Sequence, residues 1–131
     1  MTSPSLSGAV LLGHGSREPG TEAEIKALTQ ELASASPDWR FAHAFLNQEP
    51  VLETAVTKLI QAGCSRIRVM PLLVFTGKHI LEDVPREIER LQALHPTVHF
   101  EREPHLFKLP GFSALLTDVL KESASQGIPR S

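Results

Sequence analysis

At 131 residues, with 41% hydrophobic and 21% charged side chains, the chain has the size and composition of one globular domain with a substantial core. A formal net charge of -2 and the lack of any Lys/Arg run argue against nucleic acid as a partner, and no apolar run approaches the ~20 residues that span a bilayer. The opening MTSPSLSG has neither a basic start nor a long apolar stretch, so no signal peptide is expected; the single Cys64 cannot close an intramolecular disulfide, and a cytoplasmic setting is the simplest.

Along the chain, short apolar runs alternate with segments of helical period. Ala9-Val10-Leu11-Leu12 reads as a buried first strand. TEAEIKALTQELASAS then places Ile25, Leu28, Leu32 and Ala35 on one helical face, with Thr21 and Glu24 spaced as a capping box. RFAHAFL is a second strand, apolar on both faces, in which His43 alternates with Phe41 and Phe45 as a core residue. PVLETAVTKLIQAG follows as a helix with Pro50 in its first turn, Leu52, Val56, Leu59 and Ile60 on one side and Gly63 as its stop. RIRVMPLLV is the third strand. Asp83 reads as the N-cap of VPREIERLQAL, with Pro85 in the first turn and Val84, Ile88 and Leu91 facing inward. TVHFERE is a more polar fourth strand at an edge, and GFSALLTDVLKES a fourth helix.

The βαβαβαβα order implies a single α/β domain over residues 1–131, with a flavodoxin-like four-stranded parallel sheet covered by helices on both faces. Flexible tails are expected at 1–7 and about 124–131. With the common strand order 2-1-3-4, ligands bind at the carboxyl ends of the first and third strands, where strand order reverses. The two loops leaving those ends are GHGSRE, with His14, and FTGKHILED, with His79. Each holds a histidine next to glycine. A lone loop histidine is more often solvated than a ligand, but two at one crevice suit a borderline divalent metal such as Co²⁺, Ni²⁺, Fe²⁺ or Zn²⁺. They are too few for a closed structural zinc site, so the metal would be held loosely enough to be handed on, with Glu49, Glu82 or water as a third ligand. Glu82 and Asp83 could orient His79. The segment from Thr76 to Glu82, containing Gly77, is expected to be a mobile loop. Of the other histidines, His95 stands at a helix end, His99 on the edge strand, and His105 on the carboxyl rim after the fourth strand.

Three blocks, LLGHGSREP, AFLNQEPVLETAV and VMPLLVFTGKHILEDVP, resemble in this order the small sirohydrochlorin metal chelatases, over roughly the first two-thirds of the chain. The resemblance implies a chelatase fold and the insertion of Co²⁺ or Fe²⁺ into sirohydrochlorin, toward cobalamin or siroheme; a related short branch uses Ni²⁺. It implies a divalent metal as substrate, no organic cofactor, and a homodimer, because longer relatives fuse two such halves. The family's two metal-binding histidines fall on His14 and His79. Its acidic residue after the second strand's Phe-Leu is Asn47 here, which cannot take a proton as a carboxylate can; Glu49, two residues on, or the partner subunit would fill that role. Its Leu-Gly after the fourth strand is Leu106-Phe107, and Phe107 would narrow the pocket or offer a ring to the macrocycle. Sirohydrochlorin is a polycarboxylate, so Arg17 and Lys78 would pair its carboxylates, and the backbone N–H groups of Gly15 and Ser16 would hold another. Asn47, Phe75, Thr76 and Gly77 complete the expected substrate contacts.

Two other functions compete. A phosphoryl-transfer enzyme with His14 as nucleophile is disfavoured, because Gly13 stands where histidine phosphatases place an Arg. A nucleotide carrier lacks GxGxxG and GxxxxGK[ST]. A metal carrier without turnover, on the same fold, stays open beside the chelatase.

Overall fold

The computed structural model describes residues 6–73 and 77–126, apart from the side chains of 78–81 and 122–126. Four strands, β1 (Leu6–Gly13), β2 (Trp39–Phe45), β3 (Cys64–Pro71) and β4 (His99–Arg102), pair in parallel in the order β2-β1-β3-β4. They alternate with α1 (Pro19–Ala35), α2 (Leu52–Gln61), α3 (Lys78–Leu94) and α4 (Phe112–Gln126), and a 3₁₀ turn (Leu106–Lys108) precedes α4. This is the expected fold class and strand order.

The sheet positions its helices by the burial of β1. Ala9, Val10, Leu11 and Leu12 are all buried, as a central parallel strand covered on both faces requires. Val10 and Leu12 join the larger core with Val56 and Leu59 of α2 and Val84 and Leu91 of α3. Leu11 points to the other face and meets Ile25 of α1 and Phe45. Cys64 lies in the larger core, where burial pushes its thiol up and leaves it unreactive. On β3 the pattern alternates: Ile67 and Val69 enter the core, while Arg66 and Arg68 bind Glu101 of β4 at 2.9 and 3.0 Å. Arg66 first, then Arg68, hold the Glu101 carboxyl below the usual carboxylate range.

The helix faces of α2 and α3 are those read from the sequence: Leu52, Val56, Leu59, Val84 and Leu91 are buried, with Ile60 and Ile88 packed against them. On α1 only Ile25 is buried and Leu32 partly so; Leu28 is 37% exposed and Ala35 lies at the surface. His43 is not a plain core residue. Its side chain is 17% exposed, its Nε2 lies 3.1 Å from Glu22 Oε2, and its ring stands edge-on to Phe45. A polar ring on this face is acceptable because α1 supplies the carboxylate that satisfies it.

Three helix starts differ from the expected ones. α1 begins at Pro19, so Thr21 and Glu24 lie inside it and form no capping box; the fixed φ of a proline at the first helical position sets the start instead. α2 begins at Leu52 with Val51 as N-cap, and Pro50 precedes it. There Glu49 Oε1 accepts from Val51 N–H at 3.2 Å and from Thr54 Oγ1 at 2.9 Å, so a carboxylate upstream ties down the first turn. α3 begins at Lys78 with Gly77 as N-cap, which places Asp83 and Pro85 inside the helix and turns 78–82 from an expected loop into its first turns. The row Ile80-Val84-Ile88-Leu91 carries the helical period back across Asp83. At the ends, β1 includes Leu6 and Ser7, and α4 continues to Gln126, so these residues of the expected tails lie in regular elements.

Candidate metal and tetrapyrrole site

Backbone hydrogen bonds bring four loops together along the carboxyl edge of the sheet. Leu46 N–H donates to the carbonyl of Gly13 at 3.0 Å, and Leu72 N–H to that of Leu12 at 2.8 Å. Leu106 N–H donates to the carbonyl of Leu73 at 2.8 Å. The segments after β2, β1, β3 and β4 are thereby fixed side by side, in the order of the strands that feed them.

His14 stands at the centre of this rim, exposed, two residues beyond Leu12. The glycine after it is a requirement of the backbone. Gly15 has φ +104°, and a Cβ there would overlap Asn47 Oδ1. A side chain would therefore be strained by conformation and blocked by the neighbouring loop. Asn47, exposed on the β2–α2 loop, thus packs against the loop that carries His14. Ser16 Oγ accepts from Glu18 N–H at 3.1 Å and turns the chain into α1. Arg17 is exposed on the same loop.

Beside His14 lies an open recess of about 320 Å³, bordered by Gly13, Gly15, Thr21, Glu24, Phe45 and Leu72 among others. Glu24 is the carboxylate the sequence reading missed: it served there only as half of a cap. The signal was present in Thr21, Glu24, Ile25 and Leu28, spaced as one face of a helix that starts just past the histidine loop. Glu49 does not border this recess. It lines the outer side of α2, where its carboxylate is engaged by Val51 and Thr54.

Of the β3 side, Gly77 and the backbone of Lys78 and His79 are placed at the start of α3, while Phe75 and Thr76 lie outside the described residues, as do the side chains of Lys78 and His79. Since β1 and β3 are adjacent, the elements that carry the two candidate ligands leave neighbouring strand ends. Glu82 and Asp83 are exposed on α3. Phe107, more than half exposed, and His105 sit on the 3₁₀ turn and its N-cap at the β4 end of the rim. Among the described residues no group of three or more His, Cys, Asp or Glu is gathered to hold a metal ion.

Fold and rim together define a doubly wound parallel α/β protein whose candidate ligand loops meet at the topological switch point. The chain belongs to the CbiX family, whose sequence model matches residues 8–126. It is 27% identical to the sirohydrochlorin cobaltochelatase of Methanococcoides burtonii, over 91% of this chain and 95% of that one. It is 33% identical to the sirohydrochlorin ferrochelatase of Bacillus subtilis, over 66% of this chain but only 34% of the relative, so it spans about a third of that protein. Among solved structures it resembles SirB from Bacillus subtilis with Fe³⁺, with a TM-score of 0.76 and 26% identity, covering 94% of this chain and 48% of that one.

Proposed function

We propose that this protein is a sirohydrochlorin chelatase, an enzyme that inserts Co²⁺ or Fe²⁺ into the macrocycle. The observation that carries the reading is a solvent-facing histidine held between two glycines at the switch point of a CbiX-family sheet, with a second histidine opening the helix after the adjacent strand. The relatives' names supply the substrate: a cobaltochelatase matched over nearly its whole length and a ferrochelatase matched over part of its own. His14 and His79 are the metal donors. Insertion exchanges two pyrrole N–H protons for one M²⁺, so each turnover must release two protons. An imidazole nitrogen that gives up the metal becomes free to take one of them. Glu24, on the border of the His14 recess, is the candidate to pass a proton on; Asn47 cannot. Gly15, Ser16, Arg17, Gly77, Lys78 and Phe107 remain the candidate macrocycle contacts along the rim, and Phe75 and Thr76 are proposed as further contacts.

The test is the absorption spectrum of sirohydrochlorin mixed with Co²⁺ or Fe²⁺, with and without the protein. Accelerated conversion to the metallated spectrum is expected. Stoichiometric metal binding without acceleration would make the protein a carrier instead.

As part of the same reading we propose that two copies of the chain pair as a homodimer. Among the described residues α4 packs chiefly on the 3₁₀ turn, and Leu115, Leu116, Val119 and Leu120 on it are between 49% and 68% exposed. On β3 and β4 the sheet face away from the larger core carries the charged pairs of Arg66 and Arg68 with Glu101. SirB matches this chain over about half its length, so a second copy would take the place of the other half. Light scattering should find a dimer in the wild type and a monomer in Leu116→Glu; a monomeric wild type would overturn the pairing. Among the described residues no helix is long and apolar enough to cross a membrane, and the buried unpaired Cys64 fits the reducing cytoplasm where we place the enzyme.

A further inference from the structure

A second recess, of about 490 Å³, opens on the face of the sheet opposite α1, between the start of α2 and the first half of α3. Its wall is apolar: Leu12, Leu46, Val51, Leu52 and Val84 line it, with the Phe45 ring at its end. Phe45 also borders the His14 recess, so the two hollows flank the carboxyl end of β1 on either side of the sheet.

The rim of this second recess is charged, and its charges are unequal in what they have left to give. Arg90 is committed, with its guanidinium 2.7 Å from Glu53 and 2.8 Å from Glu87. Asp83 also has a partner. Arg86 is exposed and has no hydrogen-bond or ion-pair partner among the described residues. It is therefore the cation at this rim with its fork of donors free for an incoming anion.

The register of α3 ties this arginine to the candidate ligand. His79, Asp83, Arg86 and Arg90 recur at intervals of four, three and four, which is one face of an α-helix. At ~1.5 Å of rise per residue, His79 and Arg86 are roughly 10 Å apart along the axis. That span matches the reach from the centre of a tetrapyrrole to the carboxylate at the end of one of its arms.

Resting on the chelatase reading, we propose that the recess between α2 and α3 seats one carboxylate-bearing edge of the macrocycle, with Arg86 as its carboxylate anchor. The flat apolar face of the ring at that edge lies against Leu46, Val51 and Val84, and a side-arm carboxylate meets the Arg86 guanidinium in a paired, charge-assisted contact. The ring thus straddles the end of β1, with its centre toward the two histidines.

The experiment is a fluorescence titration of metal-free sirohydrochlorin, and of its methyl ester, into wild type, Arg86→Gln and Arg86→Lys, with Co²⁺ affinity measured in parallel by calorimetry. Arg86→Gln should bind the free acid about tenfold more weakly, Arg86→Lys should recover part of the loss, and Co²⁺ affinity should not move. The ester should bind wild type and Arg86→Gln alike. A wild type that binds and metallates the ring while Arg86→Gln binds the free acid equally well overturns the anchor and spares the chelatase. So does an Arg86→Gln that weakens acid and ester by the same factor. A wild type that does not bind the tetrapyrrole overturns both.

Discussion

Replacing His14 with alanine is expected to lower the rate of cobalt insertion by roughly 10²-fold or more, the scale lost when a positioned acid–base group is removed. The same substitution should leave unfolding unchanged within about 0.5 kcal/mol, because His14 is exposed on its loop and buries no apolar surface. Sirohydrochlorin affinity should also persist, since the apolar wall and Arg86 belong to other elements. The variant therefore separates binding of the ring from delivery of the metal. Single-turnover absorption kinetics with saturating ring, beside a Co²⁺ titration, would show it: weaker metal uptake and slow insertion with normal ring binding. A His14→Ala enzyme that inserts cobalt at nearly the wild-type rate removes this histidine from the reaction.

The histidine stands out in the sequence alone because several local rules agree there. The apolar run Ala9 to Leu12 marks a central parallel strand, and strand order places its end at the crevice. The glycine after the histidine has a physical explanation only in three dimensions, through the positive φ of Gly15 and the closeness of Asn47, a residue more than thirty positions away. The start of α3 shows how two local rules can conflict. Asp83 followed by Val84 and Pro85 has the look of a cap and a first turn, and that local signal hid the longer apolar row from Ile80. That row by itself places His79 on a helix, in phase with Arg86. Glu24 escaped for a related reason: its spacing from Thr21 fits a capping box, and the proline that sets the helix start lies two residues before Thr21. The recess between α2 and α3 had no counterpart in the sequence reading. Leu12, Phe45, Val51 and Val84 come from four separate elements, and no periodicity within one segment says that their ends leave a hollow.

Phe45 is where that hollow and the core meet, and its removal is the second large effect expected. The side chain is 1% exposed and belongs to the cluster of Leu11 and Ile25 beneath α1. Its backbone N–H donates to the carbonyl of Pro50 at 2.8 Å, and its ring makes a T-shaped pair with His43 at 5.7 Å between centroids. Truncation to alanine loses the buried ring and leaves a void that the rigid end of a parallel sheet cannot close, at a cost of roughly 3–5 kcal/mol. Against a total of roughly 5–15 kcal/mol for a domain, this lowers Tm on the order of 10–20 °C. Phe45→Leu keeps most of the volume and should lose much less. Phe45 also borders both recesses, so Phe45→Ala, assayed at a temperature where it remains folded, should bind sirohydrochlorin more weakly, whereas His14→Ala should not. Calorimetric unfolding with ring titration on both variants would check this. A Phe45→Ala protein that unfolds within a few degrees of wild type, or binds the ring as tightly, would mean that the aromatic wall between the two recesses supports neither the core nor the macrocycle.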